Sequence, residues 1–379
     1  MDQRHLNYVE RINLWSYYTD DKYIKIIEKM LKKHISKDWA ILDSSCGYGN
    51  FFEIFNENLR IGNDIDDVAL SVAKKRFPDV KFYNDNALKE IDRKKFGIRE
   101  SQKLCIVWNP PYNDTTSIIR NSIKSGNVVM DTDIQTRDLG ISFLLSYNKL
   151  NADCICVLHP LSYLIKRSNF KLLSNFSKNY KLIDGLIINS GTFSDNSKSI
   201  QFPILIGLYR KTLWWMDYNY IKNYCFKEEW WQSFALKDFD FIDNYISKYP
   251  NKYNISTSSN NILFYTMRDI NALKRNKTFL KEYQNNAIIV DKNKLDYYVY
   301  VDSFKQWSNE IPYFLWNLTV FIDNQNFMKN KKYFIIDCIS RNSFLKWYYK
   351  DLQITTNDIK KSKEKLNQYF YSLLQQYVS

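Results

Sequence analysis

The tetrapeptide Asn109-Pro110-Pro111-Tyr112 is the part of the chain whose residue types point most directly to chemistry. It follows the apolar run KLCIVW, which begins at Lys103 and reads as a buried strand. Two consecutive prolines cannot continue strand pairing and hold the backbone in a stiff, extended turn. The Asn109 side chain and the Pro110 carbonyl are thereby fixed in place. Two such acceptors can take both N–H protons of an amine conjugated to an aromatic ring and favour the pyramidal nitrogen whose lone pair can attack. Preorganised dipoles of this kind stabilise a transition state without a strong base. The proton can leave afterwards, so no catalytic histidine is required. Tyr112 offers a ring on which a base can stack, an interaction worth roughly 1–3 kcal/mol. In isolation the same four residues also read as a Pro-Pro turn with a surface tyrosine, so the segments before them decide.

Those segments carry a second pattern. The run AILDS from Ala40 leads into Asp43-Ser-Ser-Cys-Gly47-Tyr-Gly49-Asn-Phe, a strand, a tight Gly-x-Gly turn and the expected start of a helix. Glycine suits a turn where backbone must approach a ligand or adopt positive φ. A lone Gly-x-Gly is also a common structural turn, and Asn50-Phe51 stands where a dinucleotide fingerprint has its third glycine, which argues against a pyrophosphate. The next strand ends in Asn63-Asp64-Ile65-Asp66, about 20 residues beyond the turn, where an acid can accept from two ribose hydroxyls. Asp64 is the better candidate, since Asp66 reads as a helix-start residue. A third strand ends in Asn84-Asp85-Asn86-Ala87. Asp85 there could accept from an adenine amino group or cap a helix.

The elements that must position these residues are seven strands. They read as AILDS, RIGND (from Arg60), VKFYN (from Val80), KLCIVWN, CICVLHP (from Cys154), KLIDGLII (from Lys181) and FPILIGLYRK (from Phe202). Helix-length segments separate several of them, the pattern of an α/β sheet. The central runs are continuously apolar, as strands covered on both faces must be. Asp20 to Lys33 reads as an amphipathic helix ahead of them, with Tyr23, Ile26, Ile27, Met30 and Leu31 on one face. After Lys211 this strand rhythm is expected to stop, and Trp214, Trp215, Trp230 and Trp231 open an aromatic, basic region. The chain therefore divides into a catalytic domain at 1–211 and a second region at 212–379, with no Gly/Ser-rich linker between them.

In order and content these motifs resemble the adenine-N6 DNA methyltransferases of the gamma arrangement: cofactor motif first, Asn-Pro-Pro-Tyr next, recognition region last. The resemblance spans Tyr17 to Lys211. It implies a class I methyltransferase, Rossmann-like α/β fold with a seven-stranded, mostly parallel sheet, helices on both faces, and a C-terminal target-recognition region. It implies S-adenosylmethionine as cofactor and N6 of adenine in double-stranded DNA as target, with the base flipped out because a stacked base cannot reach the pocket. By position, Asp43, Gly47 and Gly49 resemble the loop at the methionine end of the cofactor. Asp64 resembles the ribose acid, Ile65 the apolar contact to the cofactor adenine, and Asp85 with Asn86 the contacts to its edge. Asn109, Pro110 and Tyr112 resemble the amine-activating and stacking set. Phe193 matches an aromatic residue that flanks the flipped base in the family, and reads also as ordinary core. Tyr17-Tyr18-Thr19-Asp20-Asp21 resembles the family's Thr-Pro-Pro segment near the methionine carboxylate, with Thr19 as the ligand, although both prolines are absent here.

The remaining features bound this reading. Net charge is +13, with 31 basic and 24 acidic residues up to Lys211 and 23 and 17 after it. Both halves suit a polyanionic partner, and a lysine-rich genome bias would give the same balance. The stretch from Asn113 to Arg137 is long for a connection beside chemistry, and it is expected to order over nucleic acid through Arg120, Lys124 and Arg137. Lys274, Arg275 and Lys277, and Lys329, Lys331 and Lys332, lie among aromatics, as phosphate anchors do or as a solvated face does. Asn251 onward reads as a polar loop, and Thr356 to Val378 as an amphipathic helix. Six cysteines without a paired framework suit a reducing, cytoplasmic setting, and Cys154 and Cys156 share one strand face as core packing rather than metal ligands. The longest apolar runs fall short of the roughly 20 residues a membrane span needs. Any restriction endonuclease partner would be a separate chain. An RNA base or protein glutamine-N5 methyltransferase uses similar turns, and a binder with a relic cofactor fold is the non-enzymatic alternative.

Overall fold

The computed structural model describes residues 19–109, 129–193, 201–250 and 261–377. They form two compact units, residues 1–222 and 223–379. The first unit is built on the expected seven strands: β1 (Ala40–Asp43), β2 (Leu59–Asp64), β3 (Lys81–Asn84), β4 (Leu104–Trp108), β5 (Cys154–Pro160), β6 (Tyr180–Asn189) and β7 (Pro203–Lys211). Their order is β3-β2-β1-β4-β5-β7-β6. All neighbours are parallel except β7, which runs antiparallel to both β5 and β6. This is the seven-stranded, mostly parallel, Rossmann-like sheet that the resemblance implies.

Burial follows from the sequence. β1, β4 and nearly all of β5 are buried along their whole length, whereas the edge strand β3 is not. Alternate residues face opposite layers. Cys105, Val107, Cys154, Cys156 and Leu158 pack in one core cluster with Tyr23, Ile24, Ile27 and Leu31 of helix α1 (Asp21–Leu31). On the other face the Trp108 ring lies 4.4 Å from Phe143 and 5.3 Å from Tyr147, both on helix α3 (Leu139–Lys149). Between them in sequence, helix α2 (Asp67–Arg76) joins β2 to β3. Each of the three helices starts on an aspartate cap, Asp20, Asp66 and Asp138 respectively. Each cap satisfies backbone N–H groups that the first turn leaves without partners.

The helix anticipated after the glycine turn is a four-residue 3-10 turn, Asn50–Glu53. Only nine residues lie between Gly49 and the start of β2 at Leu59, too few for a helix and its return.

The second unit does contain strands, against the expectation that their rhythm stops. They are two or three residues long: the hairpin β8 (Phe226–Glu228) and β9 (Ser233–Phe234), and a three-stranded sheet in which β10 (Leu263–Tyr265) lies between β11 (Phe279–Leu280) and β12 (Ala287–Ile289). Strands this short leave no alternation to read. Helices α4 (Leu295–Trp307), α5 (Asn324–Arg341) and α6 (Thr356–Gln375) pack around Tyr300, Phe304, Phe334 and Phe370. α6 begins with a reciprocal capping box between Thr355 and Asp358, and it buries Leu366, Phe370 and Leu373, as an amphipathic helix does.

His159 lies fully buried near the end of β5. The Pro160 carbonyl, 2.9 Å away, can only accept, so Nδ1 carries the proton and Nε2 accepts from the Tyr209 hydroxyl at 2.6 Å. Burial lowers the imidazole pKa from 6.5 to about 4. A base depressed in the folded state contributes stability above its unfolded pKa and loses it as pH falls through the folded value. Stability is therefore expected to fall between pH 6.5 and 4, His159 accounting for about 3 kcal/mol at most. Denaturant unfolding at several pH values, with His159→Gln alongside, checks this: the variant should show a flatter dependence in that window.

Candidate active site

Strand order reverses between β1 and β4: β2 and β3 follow on one side of β1, and β5 lies beyond β4. A reversal of this kind is where open α/β sheets bind ligands, beyond the carboxyl ends of the two strands. The described candidate residues at the ends of β1, β2, β3 and β4 fall on this edge.

After β1 the backbone turns through Gly47 at φ 51° and Gly49 at φ 79°, values that a side chain would strain. A Cβ at Gly49 would also lie 3.0 Å from the Phe52 ring. The Gly47 N–H donates to Asp64 Oδ2 at 2.7 Å, tying the turn to the end of β2. Asp64 Oδ1 accepts from the Asp66 N–H at 3.0 Å, while Asp66 itself caps α2. The ribose candidate and the helix cap are thus different carboxylates. Asp43 is buried, with the Ser45 N–H 3.2 Å from its Oδ1. Burial raises the pKa of both Asp43 and Asp64, and the charge of Asp64 adds to the effect on Asp43.

A supporting layer that the sequence reading missed holds this turn. The Ser44 hydroxyl lies 2.7 Å from the Tyr147 hydroxyl of α3, and the Trp108 indole N–H donates to Ser45 Oγ. Asn63 donates to the carbonyls of Ser44 at 3.1 Å and Asp85 at 2.9 Å, bridging the loops after β1 and β3. Its Oδ1 is buried without a hydrogen-bond partner. Arg76, at the end of α2, donates to the Tyr48 carbonyl and Asn50 Oδ1, each at 2.9 Å. The indole carried a usable signal, since a buried Trp N–H needs an acceptor and Trp108 immediately precedes Asn109.

On the β3 side, Asp85 does not cap a helix. Its carboxylate accepts from the Asn86 N–H at 2.6 Å and pairs with Lys95 at 3.2 Å. The Asn86 amide spans the chain, donating to the Val129 carbonyl at 2.7 Å and accepting from the Leu88 N–H at 2.9 Å. Ile65 is 73% exposed directly beside Asp64, an unusual position for an isoleucine.

Asn109 sits at the end of β4, and its Nδ2 donates to Thr19 Oγ1 at 3.0 Å. Thr19 is buried. The structure thus brings Thr19 to the candidate amine-activating residue. Phe193, between β6 and β7, is buried in the α1 core cluster with its ring centroid 6.0 Å from that of Tyr23. Pro110, Tyr112, Arg120 and Lys124 lie outside the described residues, as does nearly all of the polar stretch from Asn251.

No protein-family model matches the chain, and no curated protein sequence matches it. Solved structures do resemble it. One is described as a modification subunit of a type I restriction enzyme from Vibrio vulnificus YJ016, with 15% identity and a TM-score of 0.39 over 52% of this chain and 44% of the other. A second is a methyltransferase subunit of a type I restriction-modification system from Streptococcus thermophilus, with 13% identity and a TM-score of 0.37 over 83% of this chain and 57% of the other. A third is a dimethyladenosine transferase from Plasmodium falciparum, with 16% identity and a TM-score of 0.34 over 52% of this chain and 64% of the other. In each case the match spans less than two thirds of the other chain.

Proposed function

We propose that the chain transfers a methyl group from S-adenosylmethionine to an exocyclic amino nitrogen of a nucleic-acid base, N6 of adenine in DNA, with the second region contributing target recognition. The observation that carries this reading is the placement of the Gly47–Asp64 turn and Asn109 at the carboxyl ends of the neighbouring strands β1 and β4, where the strand order reverses. The residues there fit the cofactor. Gly47 and Gly49 let the backbone approach a ligand closely. A carboxylate has about four lone-pair directions, so Asp64 can accept from a ribose diol while retaining the Gly47 N–H. Ile65 presents an exposed apolar surface beside it, suited to a nucleoside base.

When bound, S-adenosylmethionine supplies an electrophilic methyl group on a sulfonium. The chain's own task is to hold a weakly nucleophilic amine so that its lone pair faces that carbon. The Asn109 Nδ2 bond to Thr19 fixes the sense of the amide, and a carbonyl oxygen with two lone pairs is the group that would accept a substrate N–H. Thr19 then serves as a positioning residue, a role different from the cofactor contact implied by the family resemblance. The Pro110 carbonyl is the second acceptor and Tyr112 the stacking ring. The same chemistry is open to a cytosine N4 amine or an RNA base, so substrate assays decide between them.

The function is tested by supplying methyl-labelled cofactor with unmethylated DNA, RNA and protein. Label should enter DNA as N6-methyladenine and fall at least about 100-fold in Asn109→Ala, the scale of losing a transition-state hydrogen bond. Label confined to protein overturns the assignment. Thr19→Val should lower kcat about tenfold with little change in the KM for cofactor, and Thr19→Ser should restore it; a raised cofactor KM with intact kcat would instead make Thr19 a cofactor ligand. Asp43→Asn tests the buried acid. Its folded pKa lies above the unfolded value near 3.8, so ionisation destabilises the fold increasingly as pH rises through that interval. The variant should melt higher than wild type at pH 8, the difference vanishing towards pH 4, while binding cofactor more weakly.

A further inference from the structure

The charge of the second unit is unevenly distributed. Residues 223–323 hold twelve basic and twelve acidic side chains, whereas residues 324–379 hold ten basic and four acidic. The unit's entire excess of positive charge therefore falls on α5, α6 and the 3-10 stretch between them, Ser343–Tyr349.

Three of those cations converge on one cleft of about 370 Å³, lined by Lys331, Lys332 and Lys350 with Tyr348, Tyr349 and Asp351. Their partners differ. Lys331 is held at 2.9 Å by Asp296, which also accepts from the Tyr349 hydroxyl at 2.7 Å, so one wall of the cleft is fixed in place. Among the described residues neither Lys332 nor Lys350 forms an ion pair with a carboxylate. Lys332 and Lys361 both lower the pKa of Asp358 through their charge, which places the start of α6 beside the same positive field. The Lys350 ammonium lies 3.4 Å from the centroid of the Trp347 ring, and that ring is 69% exposed. A cation seated on an exposed indole offers charge and a stacking face together.

The other basic cluster of this unit is built differently. Lys274 sits 3.8 Å from the Trp316 ring centroid, and burial lowers its pKa. That lysine is half-buried against the ring, and Arg275 and Lys277 beside it are exposed.

We propose that the Lys331–Lys332–Lys350 cleft seats the phosphodiester backbone of the nucleic acid, with Trp347 beside it as an aromatic contact; this rests on the nucleic-acid reading given above. Lysine recognises phosphate as a mobile point charge, which suits backbone anchoring rather than base reading. Each lysine on a phosphate displaces condensed counterions, so its removal leaves a characteristic mark on salt dependence.

The test measures binding of the full chain to duplex DNA and to duplex RNA of equal length across a salt series. The substitutions are Lys331→Gln, Lys332→Gln and Lys350→Gln together, and Lys227→Gln, Lys237→Gln and Lys281→Gln as a charge-matched control. The cleft variant should show a shallower slope of log affinity against log salt, by roughly 0.9 for each lysine that sits on a DNA phosphate, and the control should match wild type. The preferred duplex identifies the source of the phosphate. Equal slopes in the cleft variant and wild type, or equal losses in variant and control, overturn the proposal, as does binding of the wild type to phosphatidylserine vesicles but to neither duplex. Should the triple variant melt below wild type, Lys350→Gln alone carries the same expectation at one third of the size. Cofactor titration separates the two readings: failure of the wild type to bind cofactor counts against the proposed reaction, and an unchanged salt slope counts against the cleft.

Discussion

The constraint on which the first unit depends is the reversal of strand order between β1 and β4. Parallel strands deliver their carboxyl ends to one edge, and only at a reversal do the outgoing loops separate and leave room for a ligand. Asp43, Gly47 and Gly49 leave one side of that gap and Asn109 the other. Asp64 closes the glycine turn, and Trp108 and Tyr147 anchor it from behind. Trp108 belongs to both systems, because its indole holds Ser45 while the residue after it is Asn109. The support of the glycine turn and the position of Asn109 are thus set by adjacent residues at the end of one buried strand.

The same edge carries an energetic cost. Asp43 and Asp64 lie close enough for their charges to interact, and both resist ionisation because they are removed from water. Backbone N–H groups of Ser45, Gly47 and Asp66 offset part of this. A fold selected for stability alone would not keep two acids here, and the strain is of the kind that accompanies binding sites. Apolar packing on both faces of β4 and β5 supplies the compensating stability.

Much of this was legible in the sequence because it is local. CICVLHP is β5 to the residue, since a strand buried on both faces shows as an unbroken apolar run. The turn at Gly47 and the acid at Asp64 follow from short-range spacing, and so does the aspartate cap of α2. What escaped depends on contacts between distant residues. Thr19 meets Asn109 across 90 positions, and no periodicity encodes that meeting. Asn63 bridges two loops through its side chain, a role that its place near the end of a strand does not announce. The helix expected after Gly49 failed on chain length, and the second unit's strands were too short to carry a pattern. Its basic residues were visible from the start, yet only their arrangement around one cleft distinguishes Lys331 and Lys332 from Lys274.

The central claim, that the ends of β1 and β2 form the cofactor site, is tested most directly by calorimetric titration of S-adenosylmethionine into the wild-type chain and into Asp64→Asn. The account predicts saturable one-to-one binding by the wild type and affinity at least about tenfold weaker in the variant, the scale of losing hydrogen bonds to a charged acceptor. Absence of binding by the folded wild type, or equal affinity in both proteins, would contradict it.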